Sequence, residues 1–285
     1  MARYEFIKKQ NTLSKRRLFH LFDVSSSGYY AYLKRLPSQR TVFNQQLDKK
    51  IETLFEDHRH LYGYRRLHVE LLEEGYCLSR ERVRRRMHKL HLKAKQRKKY
   101  KQTTDSNHNK PVAENILDRH FTMDTPNQAW VCDITYIKVN GQWLYLAIVL
   151  DLYSRKIIGW AMDLHMESTL VCQALTMALL HRGYPSKVIV HSDRGGQYCS
   201  DDYQAILTAY GLTCSMSRKG NCWDNAVAES FFHTLKTEWI YRHKLENMAQ
   251  AKSMILWYIE VYYNRVRKHS YLNYLSPVQF EEKMI

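Results

Sequence analysis

The spacing of apolar residues changes along the chain and divides it into two parts. In residues 11–94, apolar side chains recur every three to four positions, the period of an amphipathic helix. From Gln128 onward, β-branched and aromatic runs of strand length alternate with helical stretches. The pattern therefore predicts an all-helical region followed by an α/β domain, a mixed sheet flanked by helices.

Two pairs of short helices are predicted in the first part. "NTLSKRRLFHLFDVSSSGYYAYLKRLP" is broken at "DVSSSG" and must end near Pro37, so residues 13–36 resemble a helix-turn-helix. A second pair spans 62–94, where Gly75 ends one helix and Ser79 is placed to cap the next. Together with a helix between the pairs, these segments predict a helical DNA-binding region over residues 1–95.

The helix after Ser79 has an apolar side and a cationic side. Val83, Met87 and Leu90 share the inward side. Five cations are left mostly outward, namely Arg80, Arg82, Arg85, Arg86 and Lys89. A recognition helix needs this combination, because it packs on its own domain and contacts phosphates. The alternative is an ordinary solvated helix, but few acids balance the arginines.

The second part begins after a polar stretch without apolar periodicity, which predicts a linker over 96–120. Three strands then follow as a meander from "QAWVCDITYIKV", with "NG" at 140–141 as a hairpin turn. Helix, strand, helix, strand and helix complete the predicted order. The domain is expected to span 121–283, including a C-terminal helical extension.

Charge is distributed unevenly between the two parts. Residues 1–110 hold 27 Lys and Arg against 11 Asp and Glu, whereas residues 111–285 hold 17 of each. The whole net charge of +16 therefore lies in the first part, which points to a polyanion, nucleic acid before anionic membrane. The apolar run "WLYLAIVL" has strand length, so no membrane partner is expected. The six cysteines are scattered, which indicates neither a zinc site nor a disulfide framework.

Three acids occupy positions that ordinary surface carboxylates rarely take. Asp133 lies inside the first strand, Asp193 follows the fourth strand, and Glu229 precedes Phe231 and Phe232 on the last helix. Taken alone, Glu229 would be a solvated side chain. The strand order, however, allows the three carboxylates to converge at one edge of the sheet.

Convergence of these carboxylates would require cations. Two carboxylates about 4 Å apart repel by about 4 kcal/mol at an effective dielectric constant of 20. Carboxylate ligands suit Mg²⁺ or Mn²⁺, and two such ions can bind the attacking and leaving oxygens of a phosphodiester. Asp133, Asp193 and Glu229 are therefore the candidate catalytic and metal-binding residues.

The spacing D-x59-D-x35-E, with Lys236 seven residues after the glutamate, resembles the DDE catalytic core of transposases and retroviral integrases. The strings "WVCDITYI", "DLYSRKIIGW", "HSDRGGQY", "GNCWDNAVAESFFHTLK" and "YNRVRKHSYLNYLSP" are similar to those of second-reading-frame transposases of the insertion sequence three family. The similarity is close over 124–282 and looser over 13–94. Departures are small, such as Cys132 where the family often has Thr.

The resemblance implies an RNase H-like fold and Mg²⁺-dependent cleavage and strand transfer at the ends of an insertion sequence. It also implies double-stranded DNA as partner, a homo-oligomer on DNA, and a cytoplasmic, nucleoid-associated bacterial protein. In this family the second frame is usually fused by ribosomal frameshifting to a small upstream helix-turn-helix protein, which is a further expected partner. Lys236, on the Glu229 face of the helix, is expected to contact DNA.

Further cations near the predicted site are candidates for DNA contact. Arg218 and Lys219 precede the last helix in "RKGNCWDN", where an ordinary turn is the alternative. The C-terminal stretch mixes tyrosines with Arg265, Arg267 and Lys268, which suits DNA or helix packing equally.

Two other functions share part of this pattern. A transcription factor would explain the basic first part but not the three acids. An RNase H-like nuclease would use the same metal chemistry without joining strands, and only Lys236 and the flanking strings favour a transposase over it.

Overall fold

The computed structural model describes residues 2–94, 112–218 and 222–283, and the chain forms two compact units, Met1–Lys93 and Ala94–Ile285. No helix in the described residues is long and apolar enough to cross a membrane. Lys219 and most of the segment predicted as a linker lie outside the described residues.

The first unit is helical, and serine side chains begin several of its helices. Its helices are α1 (Ala2–Lys9), α2 (Lys15–Leu21), α3 (Ser26–Lys34), α4 (Gln39–Asp57), α5 (Tyr64–Glu73) and α6 (Arg80–Lys89). Ile7, Leu18 and Tyr29 form the core shared by the first three. Ser79 Oγ accepts a hydrogen bond from the Arg82 backbone N–H, the cap that the sequence predicted.

Helices α4, α5 and α6 pack on one another through a second set of buried side chains. Leu47 and Ile51 of α4, Leu67 of α5 and Val83 of α6 are fully buried. Gly75 lies two residues after the end of α5 and has a φ of +86°, a left-handed conformation that favours glycine and terminates the helix. Both predicted helix pairs form: α2 and α3 lie within 13–36, and α5 and α6 lie within 62–94, where α6 ends five residues before the expected bound.

The second unit is a five-stranded mixed sheet with helices. Its elements are β1 (Ala129–Val139), β2 (Gln142–Asp151), β3 (Ile157–Asp163), α7 (Ser168–His181), β4 (Ile189–Ser192), α8 (Asp201–Ala209), β5 (Thr213–Met216), α9 (Ala226–Glu238), α10 (Met248–Trp257) and α11 (Pro277–Lys283). A π-helical segment, Tyr258–Val266, continues α10. Along the chain, the elements from β1 to α9 follow the predicted order of three strands, helix, strand, helix, strand and helix. In the sheet the strands lie in the order β3-β2-β1-β4-β5, so the first and fourth strands are neighbours.

The meander of the first three strands is set by its hairpin. Asn140 and Gly141 have φ of +43° and +87°, the two positive values of a type I′ turn, and β1 then pairs antiparallel with β2 along its length. β4 and β5 are added in parallel to β1. The main core, which includes Trp130, Leu175 and Tyr203, lies between this sheet and helices α7 and α8.

The end of the predicted linker belongs to the second unit. Leu117 is buried, and Ser215 Oγ of β5 accepts hydrogen bonds from the backbone N–H groups of Ile116 and Leu117, at 3.0 and 3.1 Å. The Met216 N–H donates to the Glu114 carbonyl at 3.2 Å. Residues 112–120 therefore pack along the β5 edge, because the strand offers backbone groups that this segment satisfies.

The C-terminal extension covers the opposite edge of the sheet. The Asn264 side chain accepts from the Ile157 N–H at 3.0 Å and donates to the Ile157 carbonyl at 2.9 Å. Glu281 of α11 pairs with Arg182 and Lys156. The helices after α9 are thus tied to β3 by polar contacts as well as by packing.

Candidate active site

The positions of the first two predicted acids follow from one parallel ladder. β1 pairs with β4 in the register Val131↔His191. Asp133 of β1 and Asp193, which directly follows β4, each lie two residues beyond the last pair of this ladder, and the charge of Asp193 acts on Asp133. Asp193 Oδ1 accepts a hydrogen bond from the Gly195 N–H at 2.9 Å, which fixes its side chain.

The third predicted acid is placed by the start of α9. Glu229 is half-buried in the first turn of this helix. Just before the helix, Asn225 Nδ2 donates to the Cys132 carbonyl at 3.1 Å. The start of α9 is therefore tied to the strand residue that precedes Asp133. Phe231 is buried beyond it and meets Tyr263 edge-on at 4.7 Å, so it anchors the helix to the C-terminal extension.

The three carboxylates influence one another electrostatically. Burial raises the pKa of Asp133 well above its ordinary value, and the charges of Asp193 and Glu229 raise it further, against a hydrogen bond from the Ile134 N–H. Their oxygen donors, with no imidazole or thiolate among them, suit a hard divalent ion. In the described parts of the chain, however, no group of three or more His, Cys, Asp or Glu side chains is close enough together to hold a metal ion.

Lys236 lies beside this carboxylate site in a buried position. Its side chain is only 4% exposed, and its Nζ is 5.0 Å from the centroid of the Tyr136 ring. Burial lowers the pKa of Lys236 to about 8, while the negative charge of Asp133 opposes the shift. The predicted DNA cation is thus held within electrostatic range of Asp133 and does not project freely from the helix surface.

Asp224 is a buried acid just before α9. It is 1% exposed and accepts three hydrogen bonds from Arg218, one from Arg119 and one from Asn115, at 2.8–3.0 Å. The Arg218 guanidinium holds the pKa of Asp224 well below its ordinary value, against the effect of burial. The Asp224 carboxylate therefore links the 112–120 segment, and Arg218 after β5, to the start of α9. The only local sign of this role in the sequence is the position of Asp224 and Asn225 directly before α9.

The cations predicted on α6 divide into two groups. Arg80, Arg85 and Lys89 are exposed, as expected. Arg86 instead pairs with Asp48 of α4, and Arg82 donates to Asn44 Oδ1 at 3.0 Å. The outward orientation predicted for Arg86 is wrong, because Asp48 on the neighbouring helix attracts its guanidinium.

The cations near the end of the chain also differ from one another. Arg265 is exposed, whereas Arg267 and Lys268 are each only 4% exposed. Arg267 makes a two-pronged ion pair with Glu238, at 2.7 and 2.8 Å. The structure therefore supports the helix-packing role for Arg267, because its buried guanidinium is not accessible to DNA. Arg218 is half-exposed and pairs with Asp224 and Asp118.

Comparisons with known proteins agree with this arrangement. The integrase core domain family matches residues 124–222, a second integrase core domain family matches 210–277, and the HTH-like domain family matches 43–100. The HTH-like match includes the helix pair at 62–94 and does not extend to 13–36. With the observed strand order, these matches confirm the predicted RNase H-like mixed sheet preceded by a helical HTH-like region.

Full-length relatives and a solved structure are also similar. An uncharacterized 31 kDa protein of insertion element IS600 from Shigella sonnei is 45% identical over 263 residues, 92% of this chain and 97% of that protein. Transposase InsF for insertion sequence IS3A from Escherichia coli K12 is 43% identical over 284 residues, 99% of each. A chain of the simian T-cell lymphotropic virus intasome with PP2A subunit B56 gamma is 18% identical, with a TM-score of 0.48 over 81% of this chain and 74% of that one. The identity to InsF over nearly the whole length shows that the chain belongs to the IS3 family of DDE transposases, whose catalytic part is an integrase core domain.

Proposed function

We propose that this transposase cleaves DNA at the ends of its insertion sequence and joins them to target DNA through Asp133, Asp193 and Glu229. The observation that carries the proposal is that the charges of Asp193 and Glu229, which come from two other parts of the chain, both act on the buried Asp133 of β1. Buried like charges are costly unless cations neutralise them. Bound divalent metal would neutralise the charges that Asp193 and Glu229 direct at the buried Asp133.

The three carboxylates would hold two Mg²⁺ or Mn²⁺ ions. Such ions, when bound, activate the attacking oxygen and stabilise the leaving oxygen of a phosphodiester. The protein's own residues would supply alignment: the β1–β4 ladder ends two residues before each aspartate, and Asn225 ties the start of the helix that carries Glu229 to Cys132. Lys236 would place a positive charge beside the phosphate that is cut.

Binding of double-stranded DNA is assigned mainly to the first unit. Arg80, Arg85 and Lys89 present cations on one exposed helix, and the unit holds most of the basic excess. Joining two ends to one target requires more than one active site, so a homo-oligomer on DNA is proposed. Action with, or fusion to, an upstream-frame helix-turn-helix protein and a cytoplasmic, nucleoid-associated location belong to the same proposal.

The proposal is tested with purified protein, Mg²⁺ and DNA that carries the element's own terminal sequences. Asp133→Asn, Asp193→Asn and Glu229→Gln should each lower cleavage by more than about 100-fold, because each removes a metal ligand. DNA affinity should change little. Asp201→Asn, an exposed acid in the first turn of α8, is the matched control and should cleave normally.

The outcomes separate the candidate functions. Cleavage that persists in one of the three variants removes that residue from the catalytic set. Cleavage without joining by the wild type would indicate a nuclease, and DNA binding without cleavage would indicate a regulator.

A further inference from the structure

A cavity of about 410 Å³ lies beside the carboxylate site, between the β1–β2 hairpin and the chain that follows α9. This volume falls in the range of small-ligand pockets, about 300–1,000 Å³. Lys236 lines the cavity and also interacts electrostatically with Asp133. The cavity therefore adjoins the candidate active site, but none of the three candidate carboxylates lines it.

Aromatic rings from three places in the chain line this cavity. Tyr136 and Trp143 come from the two hairpin strands, and Tyr241 comes from the 3-10 turn Ile240–Arg242. The Tyr136 and Trp143 rings meet at 88° with their centroids 5.1 Å apart. Trp143 is 45% exposed and Tyr241 is 54% exposed. Large aromatic side chains left this open offer flat surfaces on which another ring can stack.

Cations stand next to these rings. Lys138 Nζ is 5.9 Å from the Trp143 ring centroid, and Lys236 Nζ is 5.0 Å from that of Tyr136. His243 completes this side of the wall, and its Nδ1–H donates to the Trp239 carbonyl at 2.8 Å. The cavity therefore combines stacking surfaces with positive charge.

This combination fits one ligand chemistry better than others. A purely apolar ligand would not need the cations, and a simple anion would not need the rings. A nucleotide uses both, because its base stacks on aromatic side chains while its phosphate meets cations. Lys236 Nζ lies over the Tyr136 ring and within electrostatic range of Asp133, so the pocket is close to the carboxylates, although Asp133 and Tyr136, three residues apart on β1, point to opposite faces of the strand.

We propose that this aromatic pocket holds one unstacked base of the DNA strand that is cut, a few nucleotides from the scissile phosphate. The proposal rests on the proposed function, because DNA must lie at the carboxylates for a neighbouring base to reach the rings. Removing a base from the duplex costs free energy, and stacking on an aromatic side chain offsets that cost. Holding such a base fixes the position of the strand relative to the carboxylates.

The test measures binding of the full chain to end duplexes that each lack one base. The abasic position is moved through four nucleotides on either side of the cut, and affinity is measured by fluorescence anisotropy with EDTA. Trp143→Ala should weaken binding to the intact duplex by about 5- to 100-fold, the effect expected for one base–aromatic stack. At one abasic position the variant should bind as tightly as the wild type, because the pocket there has no base to hold.

Other variants control for folding and for the loss of any aromatic side chain. Trp143→Phe keeps a ring and should restore most of the affinity. Tyr241→Ala should behave like Trp143→Ala, so it tests the pocket if the first variant does not fold. Tyr184→Ala removes an exposed tyrosine that stacks on Tyr210 outside the pocket, and it should bind every duplex normally.

Two results would contradict the proposal that this pocket binds a base. One is normal binding of the intact duplex by folded Trp143→Ala and Tyr241→Ala. The other is an equal loss at every abasic position, which would show that the variants affect DNA binding in general. Because these measurements need no divalent metal, they are independent of cleavage. A chain that fails to cut DNA would refute the proposed function and leave the binding result readable.

Discussion

Asp224 should be required for the position of α9, the helix that carries Glu229, although Asp224 is not one of the three candidate metal ligands. Asp224→Asn keeps the size of the side chain and removes its charge. An amide cannot accept all five hydrogen bonds that the carboxylate receives, and its NH₂ group would face donors. The contacts from Arg119 and Arg218 to the start of α9 should therefore weaken together.

The size of the effect follows from burial on each side of the contact. Breaking a fully buried charge pair costs about 3–5 kcal/mol. Asp224 is fully buried, but the Arg119 and Arg218 side chains are 43% and 48% exposed, so water can replace part of the interaction. We expect a loss of about 2–3 kcal/mol in the free energy of unfolding at pH 7. Cleavage should fall by about 10- to 100-fold, since a displacement of about 1 Å at an active site has an effect of that order.

The pH dependence of stability gives a second measurement. The pKa of Asp224 is lower in the folded than in the unfolded chain, so its stabilisation is present above the unfolded value of about 3.9. It is lost as pH falls toward the folded value. The difference between wild type and Asp224→Asn in urea unfolding should therefore be full at pH 7 and shrink below about pH 4.

The matched control is Asp124→Asn, which neutralises an exposed acid of the same unit and should change stability by less than about 0.5 kcal/mol. If Asp224→Asn unfolded at the wild-type urea concentration and cleaved DNA at the wild-type rate, the assigned role of Asp224 would be refuted.

Three further predictions concern cations. Residues 1–110 alone should bind DNA with a slope of log K against log salt of about −0.9 per phosphate neutralised, and equal affinity and slope for fragment 118–285 would contradict this. Lys236→Ala should slow cleavage and joining without moving the midpoint of the metal titration, whereas Lys236→Arg should retain much of the activity; wild-type rates for the alanine variant would leave Lys236 without a DNA role. Arg267→Met should cost about 3–5 kcal/mol in urea unfolding by leaving Glu238 unpaired, and replacing Glu238 with Leu as well should recover most of it; a single variant as stable as wild type would show that the pair is dispensable.

Much of the fold could be predicted because its signals are local. The cap at Ser79, the positive φ at Gly75 and the hairpin at Asn140 and Gly141 each depend on residues within a few positions of one another. The meander and the alternation of helices and strands follow from apolar periodicity. The element order was therefore available from the chain alone.

The orientation of individual cations was not available in the same way. Arg86 pairs with Asp48, 38 residues earlier, and Arg267 pairs with Glu238, 29 residues earlier. Both arginines lie in stretches whose local pattern is equally suited to DNA contact. Which cation turns inward depends on an acid supplied by another helix, and periodicity does not report that acid.

The role of Asp224 escaped the sequence for a related reason. Its partners Asn115 and Arg119 lie more than 100 residues away, in a segment whose polar composition predicted a linker. Composition shows how readily a segment is solvated by water. It does not describe the edge of β5, whose backbone and serine side chain give this segment a place to bind.

The β1–β4 ladder makes the geometry of the two aspartates independent of the length of chain between them. Backbone hydrogen bonds hold Val131 beside His191, two residues before Asp133 and Asp193, and the 59 residues between the aspartates leave this ladder and return to it through other strands and α7. Residues added in a loop beyond the ladder would lengthen that interval without moving either carboxylate. One residue added between Val131 and Asp133 would turn the carboxylate to the other face of the sheet. Relatives with different intervals between these aspartates can therefore share one arrangement of the two carboxylates, and an inserted residue preserves or disrupts it according to whether it lies in a loop or within β1.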